Sequence, residues 1–142
     1  MNPSRPFPVS RRAFLALPFI GLLAYAFSQF RRKSFDVPNV DIDEAKALIA
    51  AGALVIDVRD KPQFDIKHIA GAISLPLTTL QVAIPATIAY AKAKTILVYC
   101  GDGETSGPEG THLLTQAGYV HAVNLKPGLE GWAAAALPLE RG

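Results

Sequence analysis

The sequence predicts an α/β fold: a central parallel sheet covered by helices on both faces, preceded by an N-terminal hydrophobic helix. Three observations carry this. From Asp41 onward, short apolar runs alternate with amphipathic stretches, the order of strands joined by helical crossovers. The runs Ala53-Leu54-Val55-Ile56 and Thr95-Ile96-Leu97-Val98-Tyr99 are continuous rather than alternating, as in strands buried on both faces. Residues 13–30 hold no charged side chain and have arginines on both sides.

The elements follow in order. Asp41 and Glu44 stand as a capping box, which predicts a helix over 42–51 stopped by Gly52. The first buried strand covers 53–56, and a short helical turn covers 61–67. A second short strand over 73–75 is stopped by Pro76. A helical stretch over 79–91 is broken at Pro85. The strand over 95–99 delivers Cys100 at its C-terminal end. Ser106 and Glu109 read as a second capping box, opening a helix to 117 that Gly118 ends. A fourth strand is expected over 119–125 and a last short helix over 128–136, with Pro138 closing the domain.

Two regions are expected: an export signal or transmembrane anchor with basic flanks over 1–35, and the folded domain over 36–142. Ser10-Arg11-Arg12-Ala13-Phe14-Leu15 is similar to the twin-arginine export signal, with Ala16 where that pattern often has Lys. Ala24-Tyr25-Ala26 fits a small-x-small cleavage site, while about 18 apolar residues also just span a bilayer. The expected location is therefore membrane-anchored or exported, with the domain in the periplasm. Residues 31–40 read as a polar linker.

The formal charge of +2 conceals an asymmetry. Six of the fourteen basic residues precede Ser34 and no acid does, which leaves eight against all twelve acids, a domain charge of −4. A net acidic domain without clustered Lys and Arg is not a nucleic-acid binder. No pair of His, Asp or Glu has metal-ligand spacing, and no phosphate-loop or dinucleotide fingerprint is present, so neither a metal nor a cofactor is expected.

The chain has one cysteine, Cys100. In an open parallel sheet ligands bind beyond the C-terminal strand ends, which is where Cys100 stands. Gly101-Asp102-Gly103-Glu104-Thr105-Ser106 then leads into a helix. Glycines let a backbone curl so that its N–H groups converge, and a helix N-terminus adds partial positive charge. Both favour a thiolate nucleophile and an anion bound to it.

At this point the chain resembles the rhodanese family. Val55-Ile56-Asp57-Val58-Arg59, Gln63-Phe64, the run from His68 to Pro76 (HIAGAISLP), Val98-Tyr99-Cys100, Ala117-Gly118-Tyr119 and Gly128-Leu129-Glu130-Gly131-Trp132 match its motifs in order, over about residues 37–140. The resemblance implies a sulfurtransferase. Cys100 would take sulfane sulfur from a small donor such as thiosulfate and pass it to cyanide or a thiol acceptor, with a protein sulfur acceptor also open. The amides of residues 101–105 would cradle the persulfide. Asp57, Arg59 and His68 are supporting residues, with Arg59 pairing to Asp60 or Asp65 and His68 fixing a turn.

The loop departs from the family pattern. Thr105 or Ser106 stands where many members carry an anion-binding Arg, and Asp102 and Glu104 add negative charge. Acids turned inward would oppose both a dianionic donor and thiol ionisation. Cys100 to Gly118 is also one residue longer than a six-residue sulfurtransferase loop requires. Two alternatives therefore stand beside the first reading: a phosphatase or arsenate reductase on the same fold, and a sulfur-carrier or docking module for a membrane partner with little turnover.

Overall fold

The computed structural model describes residues 33–142. The expected hydrophobic helix, twin-arginine pattern and cleavage site lie outside these residues. Among the described residues no helix is long and apolar enough to cross a membrane.

The strands are β1 (Asn39–Val40), β2 (Leu54–Asp57), β3 (His68–Ile69), β4 (Ile73–Ser74), β5 (Ile96–Tyr99), β6 (Ala122–Leu125) and β7 (Leu139–Glu140). The helices are α1 (Ile42–Ala50), α2 (Lys61–Ile66), α3 (Leu77–Val82), α4 (Ser106–Gln116) and α5 (Gly128–Ala134), with a 3-10 segment at Ala86–Ala91. Five strands form one sheet in the order β1-β6-β5-β2-β4, every neighbouring pair parallel. The short strands β3 and β7 pair antiparallel in a separate ribbon.

β5 lies at the centre of the sheet, and all four of its residues are buried. Its side chains alternate between faces, as the strand period requires. Ile96 and Val98 join Ile56, Leu80, Ile88 and Leu114 in one core, beneath α3, the 3-10 segment and α4. Leu97 and Tyr99 join Ala45, Leu125, Leu129 and Trp132 in the other, beneath α1 and α5. Helices thus cover both faces, and each large aliphatic side chain so buried contributes on the order of 1.5–3 kcal/mol. By the same alternation Cys100, one residue past β5, belongs with the first core.

The Asp41 capping box forms as expected: Glu44 N donates to Asp41 Oδ1 at 2.9 Å and Asp41 N to Glu44 Oε2 at 3.0 Å. The second box does not. The N-cap of α4 is Thr105, and no side chain caps the helix. The Thr105 hydroxyl is directed instead to Asp102, 3.0 Å away. The fourth strand is shorter than expected, because Tyr119 N returns to Leu114 O and Ala122 N to Tyr119 O, making a turn of residues 119–121. The expected linker ends in structure: β1 pairs with β6, placing Asn39 beside Asn124.

Candidate active site

Cys100 follows the last residue of β5, and α4 begins at Ser106. The five residues Gly101–Thr105 between them form the loop. Its first carbonyls are held from below, where Leu129 N donates to Cys100 O at 2.9 Å and Glu130 N to Gly101 O at 3.0 Å. Its middle is held by Asn124, whose amide donates to Gly103 O at 2.8 Å and to Asn39 Oδ1 at 2.8 Å. Gly103 has φ +76, and a Cβ there would lie 1.7 Å from the Lys126 carbonyl oxygen, so the position accepts only glycine.

Cys100 is buried, with 1% of the residue exposed. The polar neighbours of its sulfur are Asp102 Oδ1 at 3.4 Å and Thr105 Oγ1 at 3.8 Å. A Cβ on Gly107 would come within 3.2 Å of the sulfur. The loop amides do converge, but on a side chain. Asp102 Oδ1 accepts from Glu104 N at 2.9 Å, Thr105 N at 3.1 Å and Thr105 Oγ1 at 3.0 Å. The Glu104 amide, against the opposing effect of burial and joined by the Thr105 and Cys100 contacts, holds the Asp102 carboxyl well below the usual range, at about 2. Of the amides expected to cradle a persulfide, those at 104 and 105 are bonded to Asp102.

Against the loop lies a cavity of about 630 Å³ whose wall includes Arg59, Lys67, Asp102, Thr105, Ser106 and Glu130, but not Cys100 itself. The structure brings Gly101, Asp102, Thr105 and Ser106 together with Arg59 at this cavity. It turns Glu104 elsewhere, to a second cavity shared with Asp41, Glu44 and Lys126.

Arg59 does not pair with Asp60 or Asp65, as the sequence suggested. Its Nε lies 3.0 and 3.1 Å from the two Asp57 carboxylate oxygens, one terminal nitrogen lies 2.6 Å from Oδ2, and the same nitrogen donates to Lys67 O at 2.7 Å. Asp65 is taken by Lys61. Asp57 is completely buried and also accepts the Arg59 amide, so full desolvation of one partner selects the nearest guanidinium. Burial opposes the Arg59 charge, but the Asp57 hydrogen bonds and attraction prevail and raise its pKa. Burial first, then the Asp57 charge, pushes the Tyr99 phenol up, and its oxygen accepts the Ile69 amide at 3.0 Å.

His68 lies away from the cavity wall. Its ring stacks on Phe64 with centroids 3.7 Å apart, and Nδ1 is 2.9 Å from Phe64 O, a contact that fixes the α2–β3 turn. Sequence reasoning missed Asn124. Its signal was a lone amide inside an apolar strand, since a buried Asn must find partners for its donors.

Comparison with known proteins agrees with this geometry. The rhodanese-like domain family matches residues 41–135. The uncharacterized protein YibN of Escherichia coli is 33% identical over 136 residues, 94% of each chain. Thiosulfate sulfurtransferase GlpE of Coxiella burnetii is 36% identical over 92 residues, 64% of this chain and 82% of that one. The rhodanese-like domain of the Alr3790 protein from Anabaena superposes with a TM-score of 0.62 at 30% identity, covering 74% of this chain and 80% of that structure.

Proposed function

The chain belongs to the rhodanese-like domain family, and from that premise we propose that it is a sulfurtransferase that moves sulfane sulfur through a Cys100 persulfide. The observation that carries the reading is the position of Cys100: at the C-terminal end of the central strand, wrapped by a loop whose amides converge beside Sγ. In the first half-reaction the thiol proton leaves to solvent and the thiolate attacks the outer sulfur of a thiosulfate-like donor. A sulfur–sulfur bond forms to Sγ, the donor's sulfur–sulfur bond breaks, and the electron pair departs on sulfite. In the second, cyanide or a thiol takes the outer sulfur and returns the thiolate.

Cys100→Ser tests the assignment. The variant should retain the fold, because Ser is nearly isosteric, and lose sulfur transfer. A variant that still turns over at the wild-type rate contradicts it.

One observation favours a second reading. A buried sulfur with a carboxylate 3.4 Å away suits slow loading, as in a sulfur-carrier or docking module for a membrane partner. Rapid multiple turnover with a small donor excludes that reading. The charge-free stretch 13–30 and Arg11-Arg12 support a role at, or beyond, a membrane. Replacing both arginines with lysine should block delivery if the twin-arginine pathway reads this segment, and unchanged delivery contradicts it.

A further inference from the structure

The ionisable side chains lining the cavity against the Cys100 loop are Arg59, Asp60, Lys67, Asp102 and Glu130. Arg59 is committed to Asp57 and to the Lys67 carbonyl. That leaves one exposed lysine against three carboxylates. Of the three, Asp102 is the one that reaches the sulfur, at 3.4 Å. The oxygen that does so also holds the Glu104 and Thr105 amides and the Thr105 hydroxyl. These three donors therefore already face a charge that the protein carries. Cys100 is buried, and its two polar neighbours, Asp102 and Thr105, both line the cavity.

Resting on the sulfurtransferase reading, we infer that Asp102 is a specificity-determining residue, selecting sulfane-sulfur donors of single negative charge over doubly charged thiosulfate. The physical basis is repulsion. A donor at the sulfur sits within a few ångströms of an ionised carboxylate, and at the intermediate effective dielectric of a cavity mouth each additional donor charge costs about tenfold in loading. The donor class this site fits is a thiosulfonate or a persulfide, whose far end is uncharged.

Methanethiosulfonate isolates the charge, since a methyl group replaces one charged oxygen of thiosulfate at nearly constant shape. Both donors load Cys100 in the same way: Sγ bonds to the outer sulfur, the donor's sulfur–sulfur bond breaks, and the electron pair leaves on methanesulfinate or on sulfite. The measurement is the rate of persulfide formation by the full-length protein with each donor, read by intact mass, at low and high salt. The wild type should favour methanethiosulfonate by about tenfold at low salt, less at high salt. In Asp102→Asn, and in Asp102→Ser as a second neutral replacement, the ratio should fall to near unity through faster thiosulfate loading. A ratio that is the same in wild type and both variants, or a wild type that prefers thiosulfate, overturns the filter and leaves the sulfurtransferase reading standing. No persulfide from either donor in any of the three proteins overturns that reading and the filter with it.

Discussion

Asn124 Nδ2 donates to the carbonyl oxygen of Gly103 at 2.8 Å, across 21 residues of sequence and inside the protein. This contact ties the centre of the Cys100 loop to β6, and through Asn39 to the sheet edge. Asn124→Ala removes both bonds and leaves the Gly103 carbonyl without this partner. The expected loss is about 1–3 kcal/mol of stability, measured by denaturant unfolding. Persulfide formation at Cys100 should slow alongside it, because the loop loses its anchor. Wild-type stability with wild-type loading would show that the contact is dispensable.

Gly107 lies in the first turn of α4, where a Cβ would stand 2.3 Å from Asn124 Oδ1 and 3.2 Å from Cys100 Sγ. Alanine at a helix position is ordinarily worth about 1 kcal/mol over glycine. Here overpacking, about 1–3 kcal/mol, should prevail and displace the sulfur or its anchor. Gly107→Ala is expected to lower the melting temperature and slow sulfur loading. A stabilised variant that loads normally contradicts this packing argument.

The Asp57–Arg59 pair is a structural prediction of a different kind. Asp57 has no exposed surface, so Arg59→Ala leaves an uncompensated buried carboxylate, at a cost of about 3–5 kcal/mol. Arg59→Lys should also destabilise, since a point charge cannot reproduce the two-pronged contact. Removing both charges, in Asp57→Ala with Arg59→Ala, should cost less than the two single changes added together. Denaturation of the four proteins as a double-mutant cycle measures the coupling. Additive effects would mean that the pair contributes nothing jointly.

Asp102 gives a pH signature. Its folded pKa is depressed from 3.8 to about 2, so the stability it adds is fully present above the unfolded value. That contribution is lost as pH falls through the folded value. Wild type should therefore exceed Asp102→Asn by a constant margin above about pH 5, and the margin should vanish between pH 4 and 2. Urea unfolding of both proteins across this range tests it. A margin independent of pH would show that the carboxylate charge plays no part in the loop.

Much of this architecture was legible in the residues because long apolar runs and caps are local signals. The continuous run ending at Tyr99 identified the central strand, and the glycines after Cys100 identified the loop. The strands at Asn39–Val40, His68–Ile69 and Leu139–Glu140 escaped because two residues carry no periodicity; pairing alone defines them. Ser106 and Glu109 have the spacing of a capping box, yet Asp102 takes the Thr105 hydroxyl and the turn before the helix. The direction of Asp102, unlike that of Glu104, depends on amides that converge only once the loop has curled. The sequence names the acids, and the folded backbone decides which one faces the sulfur. Asn124 is the counterpart: its partners lie 85 and 21 residues away, beyond any local pattern.

The most direct test of the central claim is the intact mass of the full-length protein after incubation with thiosulfate or methanethiosulfonate. The account predicts a gain of one sulfur atom, removed by cyanide and absent from Cys100→Ser. An unchanged mass with both donors, or a sulfur adduct that persists in Cys100→Ser, would contradict it.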